Sequence, residues 1–367
     1  MSIPKQIPHF TPMKTRAILA VVLQVLLACP ALAVDRTWIA GTSSTSFNST
    51  TNYTGSGAFS ADDLYFDMPV LPLNISSPSN VSSLYILQGA TGFYVGGELL
   101  VYKEKIGVAA NTTATIASKL YTYNYGDSRP VYFDVGAGGK LTTGLHNLGR
   151  RELIKTGEGI LEFLEGFDTS SPTAINNTVV VRIMEGTVLI GENALLQRTD
   201  TPLKVLPVLV GTEDTTGRLM GSGTINGIVQ TFGASQSIIE TSGDGSFFLS
   251  TVNAEAGATL RFRLGDVIVG DGEFTGQNLV FEFTGGEVGV VYTLLEFPSL
   301  TIDLDSLQIG SSGYELDPNF GVNGWLIDGN LLQVRFLEVI PEPNSALLFL
   351  TAAGFVLGCR LRRRPHV

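Results

Sequence analysis

Leu153, Ile154, Lys155, Thr156, Gly157, Glu158, Gly159, Ile160, Leu161, Glu162, Phe163, Leu164, Glu165, Gly166 is the stretch that decides the fold. Apolar residues alternate on either side of a Gly-x-Gly corner, as in two half-buried strands joined by a tight turn. A polar loop from Phe167 to Asn177 follows. Thr178 to Met184, then Glu185, Gly186, Thr187, Val188, Leu189, Ile190, repeat strand, turn and strand. Such a unit cannot bury its apolar face alone, so it must stack on neighbours, with glycine allowing the corners. Inward Leu, Ile, Val and Phe are expected to form a continuous core, with Thr and Asn outward or in ladders.

The pattern extends in both directions. Strands are expected at Val81 to Leu87, Gly92 to Val95, Glu98 to Tyr102, Ala114 to Ala117, Tyr121 to Tyr125, Val131 to Val135 and Lys140 to Thr143. Turn residues separate them every 8 to 12 residues or so, which fits a solenoid, a sandwich or a barrel. Gly136, Ala137, Gly138, Gly139 is another glycine turn entering a strand. Upstream, Trp38, Phe47, Tyr53, Tyr65 and Phe66 stand among Gly, Ser and Asn, and are expected to cover one end of the stack. Downstream, strands near Val288 to Leu295, Trp325 to Ile327 and Leu331 to Leu337 are expected to close the other.

Leu153 to Leu196 closely resembles the autotransporter-associated β-strand repeat, whose core is Lys-x-Gly-x-Gly-x-Leu-x-Leu, a polar loop and a closing Gly-Thr-Leu. Ile160, Phe163 and Val188 vary that pattern and stay apolar. The likeness continues through Gly221 to Phe232 and Ala256 to Leu264, and the opening with Trp38 and Asn52-Tyr53 is similar too. It implies an all-β chain folded as a right-handed parallel β-helix, a β-solenoid, over residues 34–338.

Composition agrees with strands and turns. Glycine numbers 42 and only 16% of residues are charged. The formal net charge is −11, from 23 Lys and Arg against 34 Asp and Glu. Seven of the cations (Lys5, Lys14, Arg16, Arg360, Arg362, Arg363, Arg364) and one acid (Glu342) lie outside the body. The body thus keeps 16 cations and 33 acids, a net −17. That disfavours a nucleic-acid partner or attraction to anionic lipid. Cys29 and Cys359 both fall in apolar end segments, so the body has neither a disulfide framework nor a thiolate metal site.

The ends read as addresses. In residues 1–33, Lys5, Lys14 and Arg16 precede an apolar run from Ala17 to Ala28, and Ala31-Leu32-Ala33 forms a signal cleavage site. A lipobox placing a lipid on Cys29 is the second reading. Residues 339–367 run through Pro341-Glu342-Pro343, an apolar segment from Ser345 to Cys359, and Arg360, Arg362, Arg363 and Arg364. The prolines hold an extended segment, and the arginines remain cytoplasmic behind a transmembrane helix. The order resembles the PEP-CTERM sorting signal of bacterial surface proteins. That resemblance implies recognition by an exosortase, passage through the inner membrane as an intermediate, and delivery to the outer surface or medium. An ordinary C-terminal anchor is the alternative.

Candidates for chemistry are few. His146 is the body's single histidine and reads as a loop residue. Asp62 with Asp63, Asp303 with Asp305, and Glu162 with Glu165 could supply carboxylate pairs for glycoside cleavage. Acidic residues crowd the surface, however, so no catalytic residue, metal site or cofactor is assigned. Six Asn-x-Ser/Thr sequons, at Asn48, Asn52, Asn74, Asn80, Asn111 and Asn176, read as turn chemistry. The expected role is a structural or adhesive surface protein that contacts exopolysaccharide or neighbouring cell-surface proteins. The alternatives are a polysaccharide-acting β-helix enzyme and a sandwich-type carbohydrate-binding module.

Overall fold

Strands recur along the chain, and each hydrogen-bonds to the strand laid down one turn earlier. In this computed structural model, residues 35–339 are described, apart from 42, 56–61, 98–99, 119, 123–128, 145, 148–150, 165–166, 169–179, 198–205, 233–236 and 244. The described residues are all-β, and two long sheets run through the body. An 11-stranded sheet starts at Leu73–Ile75 and ends at Gln308–Ile309, and every neighbouring pair in it is parallel. The second sheet is parallel until its last strands. This is compatible with a β-solenoid and rules out the packed antiparallel sheets of a sandwich.

Register gives the turn length. Lys140 lies opposite Ile160, 20 residues on, and Thr259 lies opposite Val280, 21 residues on. Gly186 and Gly217, at 31, mark a longer turn. Extra chain enters at corners. Ser79–Ile86, Leu100–Val108, Thr224–Thr231 and Ser246–Ala254 pass through one corner as long strands, and the pairing slips there between Val81 and Ser83 and between Ile225 and Ile228. In the coils between, the same path is divided, as in Leu120–Thr122 with Val131–Val135 or Leu195–Gln197 with Leu206–Val210. Leu120–Thr122 and Val131–Val135 both pair in parallel with Leu100–Val108, so the ladders on both sides of the division stay in register.

Inside, like stacks on like. One column runs Phe93, Ala114, Leu141, Leu161, Val188, Leu219, Ile239, Leu260, Phe281, Ile309, each residue opposite the next. All but Phe93, at 2% exposure, and the partly buried Ile309 are completely buried. Burying one such aliphatic or aromatic side chain stabilises by about 1.5–3 kcal/mol. The column therefore fixes register while it supplies the driving force. Thr143 and Thr231, of a residue type expected outward or in ladders, are buried, and so is Ser237. Each has a partner: Thr143 Oγ1 donates to Glu162 O, Thr231 Oγ1 accepts from Glu255 N, and Ser237 Oγ donates to Val210 O.

Both ends are closed by rings. Trp38 packs edge-on to Tyr53 at 5.1 Å and stacks on Phe66 at 5.5 Å, and Phe66 meets Phe93 at 4.9 Å. At the far end Trp325 packs on Phe281 and Phe336 on Phe283. There Trp325–Asp328 and Leu331–Val339 form an antiparallel hairpin about Gly329-Asn330, a favoured two-residue turn. The expected strands at Val131–Val135 and Lys140–Thr143 form over the expected residues. His146 is a correction: it lies in a two-residue strand between Leu120 and Phe167 rather than in a loop.

Leu161→Ala should lower unfolding stability by about 2–5 kcal/mol, the range for opening a cavity in a packed core. Ile160→Ala, next to it on the outward side and 36% exposed, should cost within about 0.5 kcal/mol. Urea denaturation followed by far-ultraviolet circular dichroism reads both; equal costs would refute the register.

Candidate functional site: an outward tyrosine ladder beside buried corner cations

The lysine of the Lys-x-Gly-x-Gly stretch is an inward residue. Lys155 lies between two apolar neighbours, opposite Phe133 in the coil before and Ile183 in the coil after. It is fully buried. Its ammonium bends back to the corner and donates to Thr156 O at 2.8 Å, Gly157 O at 2.6 Å and Glu185 O at 3.1 Å. Three donors thus meet three carbonyls that the turn leaves out of the ladder. Gly157 and Gly186 make that turn at φ +73°, and a Cβ on Gly157 would fall 2.4 Å from Val135 O. Glu185 Oε2 accepts from Gly157 N at 3.0 Å. Burial pushes the Lys155 amine down to about 8, against the pull of the Asp134 and Glu185 carboxylates. Arg151 serves backbone oxygens in the same way: it is 1% exposed and donates from Nε to Arg129 O and from Nη2 to Pro130 O.

The carboxylates singled out in the sequence do not converge. Asp62 is buried in an ion pair with Arg36 beneath the first coil, while its neighbour Asp63, half-buried, stands in register between Asp35 and Ser83. Glu162 is outward and accepts from Lys140 Nζ at 2.9 Å and Thr142 Oγ1 at 2.7 Å; Glu165 lies outside the described residues. Asp303 caps a short 3-10 turn by accepting from Asp305 N. Further along, Arg218, Glu240, Arg261 and Glu282 form a charge ladder, with Glu240 3.1 Å from Arg261. Among the described residues no group of three or more His, Cys, Asp or Glu side chains is arranged to hold a metal. Of the sequon asparagines, Asn48 bridges to Ser76 and Ser77, Asn52 holds Ser44 and Ser46, and Asn111 takes the left-handed conformation, but Asn74 and Asn80 correct the turn reading by lying in strands, and Asn176 is outside the described residues.

One outward face differs from the rest. Thr37, Tyr65, Tyr85, Gly107, Asp134 and Thr156 stand opposite one another in successive coils. The rings of Tyr65 and Tyr85 stack at 4.7 Å and 11°. The next rung is Gly107 and has no side chain. A parallel row, two residues earlier in each strand, runs Asp63, Ser83, Lys105, Tyr132. Lys105 Nζ lies 5.8 Å from the Tyr85 ring centroid and 2.6 Å from Asp134 Oδ2. Arg129 pairs with Glu104 at 3.3 Å, and Tyr132 is 38% exposed. Partial burial, then the carboxylates of Asp35 and Asp63 and the neighbouring Tyr85, push the Tyr65 phenol up, so it remains a donor. Two clefts open on this face, of about 170 Å³ and about 300 Å³, and both are lined by Tyr85 and Lys105. Sequence reading missed the ladder because its members lie 20 or more residues apart, and only register reveals them.

No family model, curated protein or solved structure matches this chain. Ala31, Ala33, Pro341, Glu342, Pro343, Arg360, Arg362, Arg363 and Arg364 all lie outside the described residues, as do both expected terminal helices.

Lys155→Met should lower stability by about 1.5–3 kcal/mol, because the corner carbonyls lose a charged donor. The amine's folded value, about 8, is below its ordinary one of about 10.4. Below pH 8 folded and unfolded chains both hold the proton. Between about 8 and 10.4 only the unfolded chain does, so the native state gains stability as pH rises. The gap in urea midpoint between native chain and variant should therefore widen from pH 7.5 to pH 10; a constant gap would show an unperturbed lysine.

Proposed function

We propose that the chain is an exported bacterial surface or extracellular-matrix protein, with a structural and adhesive role. Its body is read as a right-handed parallel β-helix, since parallel crossovers are right-handed in nearly all proteins. Residues 1–33 serve as the signal peptide. An exosortase recognises Pro341-Glu342-Pro343 while the helix from Ser345 to Cys359 and the arginines Arg360, Arg362, Arg363 and Arg364 hold the tail in the inner membrane. The order of box, apolar segment and arginine cluster is the observation that carries this reading.

The body supports it in two ways. Its last strand, Leu331–Val339, completes the terminal hairpin immediately before the box, so tail removal cuts no ladder of the hairpin. Its carboxylates are spread over ladders and turns, which favours a scaffold over a polysaccharide-cleaving enzyme with two acids across one cleft. An acidic, cysteine-free rod held by stacked hydrogen bonds suits conditions outside the cell, where it presents one repeated face to polysaccharide or neighbouring surface proteins.

The test is intact mass and terminal peptide mapping of protein recovered from envelope and medium, with and without the exosortase. Loss of the tail near Pro341 is expected only when the enzyme is present. Recovery of Arg360 to Val367 in both strains would make the chain an anchored membrane protein and remove the sorting role.

A further inference from the structure

At the hairpin end, aliphatic side chains turn to solvent just where the chain leaves the sheet. Leu332, Val334 and Phe336 are buried, so strand alternation sends Gln333, Arg335 and Leu337 outward, and Leu337 is 50% exposed. The adjoining segment is apolar too. Val291 stands opposite Arg335, and the bond from Gly289 N to Phe336 O at 3.0 Å brings Val288 and Val290 alongside Leu337. Val288, Val290 and Val291 are 56%, 39% and 42% exposed. Single exposed aliphatics are ordinary, but four on two adjoining segments make a patch that a partner can cover.

The place of the patch in the chain names that partner. The last strand ends at Val339, two residues beyond Leu337, and only residues 340–344 separate it from the apolar segment that begins at Ser345. Fully extended, those five residues reach roughly 18 Å. About 6 Å of that reach is taken up by the headgroup layer. With Ser345 to Cys359 in a bilayer, the hairpin end is therefore held within about 12 Å of the lipid surface. Charge selects the lipid. Arg335, the outward cation of the last strand, pairs with Asp317 at 2.8 Å and lies over the Phe320 ring at 4.8 Å, and Glu287 and Glu315 beside the patch are exposed. An apolar patch with a neutralised cation and acidic neighbours suits a zwitterionic surface and is repelled by an anionic one.

We infer that the hairpin end of the body docks on the membrane that holds the tail, seating Val288, Val290, Val291 and Leu337 in the headgroup layer of zwitterionic lipid. The inference rests on the reading of residues 345–359 as a membrane segment and adds a second contact to it. Four aliphatic side chains are too few to hold a body of this size on a bilayer by themselves. Joined to the membrane segment by so short a connection, they meet lipid at a high effective concentration, and weak partitioning suffices. Docking then fixes Pro341-Glu342-Pro343 at the lipid surface, a few residues from the last strand, and removal of the tail releases both contacts together.

The test places the full chain, one copy per disc, in phosphatidylcholine nanodiscs, with a fluorophore on a single cysteine and a nitroxide on the lipid headgroups. With Cys29→Ser and Cys359→Ser as background, the cysteine is introduced as Val288→Cys, Leu337→Cys or, far from the hairpin, Tyr94→Cys; native Cys359 is labelled separately with Cys29→Ser alone. Nitroxide should quench the 288 and 337 probes at least about two-fold and leave the 94 probe unchanged. Leu337→Glu should remove half or more of the quenching at 288. All these positions are exposed, and circular dichroism verifies the fold; if Leu337→Glu does not fold, the probes in the unaltered patch decide. A quenched 359 probe with unquenched 288 and 337 probes would overturn the docking and leave the membrane reading of the tail standing. An unquenched 359 probe would overturn both. Blue-shifted but unquenched 288 and 337 probes would assign the patch to the chain's own tail, and quenching that appears only after phosphatidylglycerol is added would assign it to a cationic contact; either result overturns the inference.

Discussion

Everything in this protein depends on one strand lying in register on the strand a full turn before it. A parallel strand has no partner within its own turn, so its backbone donors and acceptors are satisfied only by the coils above and below. Apolar columns such as Phe93 to Ile309 fix which residue lies opposite which, since a one-residue slip would expose every inward side chain. The coil is thus constrained at its faces and free at its corners. Additions appear where that freedom lies, as in the divided coils and the 31-residue step from Gly186 to Gly217.

The corners carry a second cost, because tight turns pull carbonyls out of the ladders. Hydroxyls and buried cations answer it. Lys155 and Arg151 are placed among core residues to serve backbone oxygens, which reverses the usual link between burial and hydrophobicity. A cation there is tolerable because its donors find oxygens at hydrogen-bond distance. The outer faces are governed more loosely. Alternating charges from Arg218 to Glu282 and the hydroxyl and carboxylate around Glu162 and Thr142 stabilise modestly at the surface.

Much of this is legible in the sequence. Alternation marks Val131–Val135 and Lys140–Thr143, the clustered aromatics mark the first end, and the strands from Trp325 to Leu337 mark the other. What resists reading is anything set by the neighbour one turn away. Nothing in the stretch Lys155-Thr156-Gly157 says that its lysine points inward; that follows from Phe133 and Ile183 on either side. His146 reads as a loop residue beside Gly144, yet it pairs with Leu120 and Phe167. Tyr65, Tyr85 and Gly107 carry no local signal at all, since turn lengths vary and hide the period that would align them.

The two closed ends have a consequence for assembly. Open parallel edges invite another copy to continue the sheet. Here the first edge is a three-residue strand, Asp35–Thr37, and the last is turned aside by the antiparallel hairpin ending at Val339. Neither end matches the other, and neither offers a long ladder for extension. Among the described residues, end-to-end growth of the sheets from one copy to the next would therefore find only short ladders to extend.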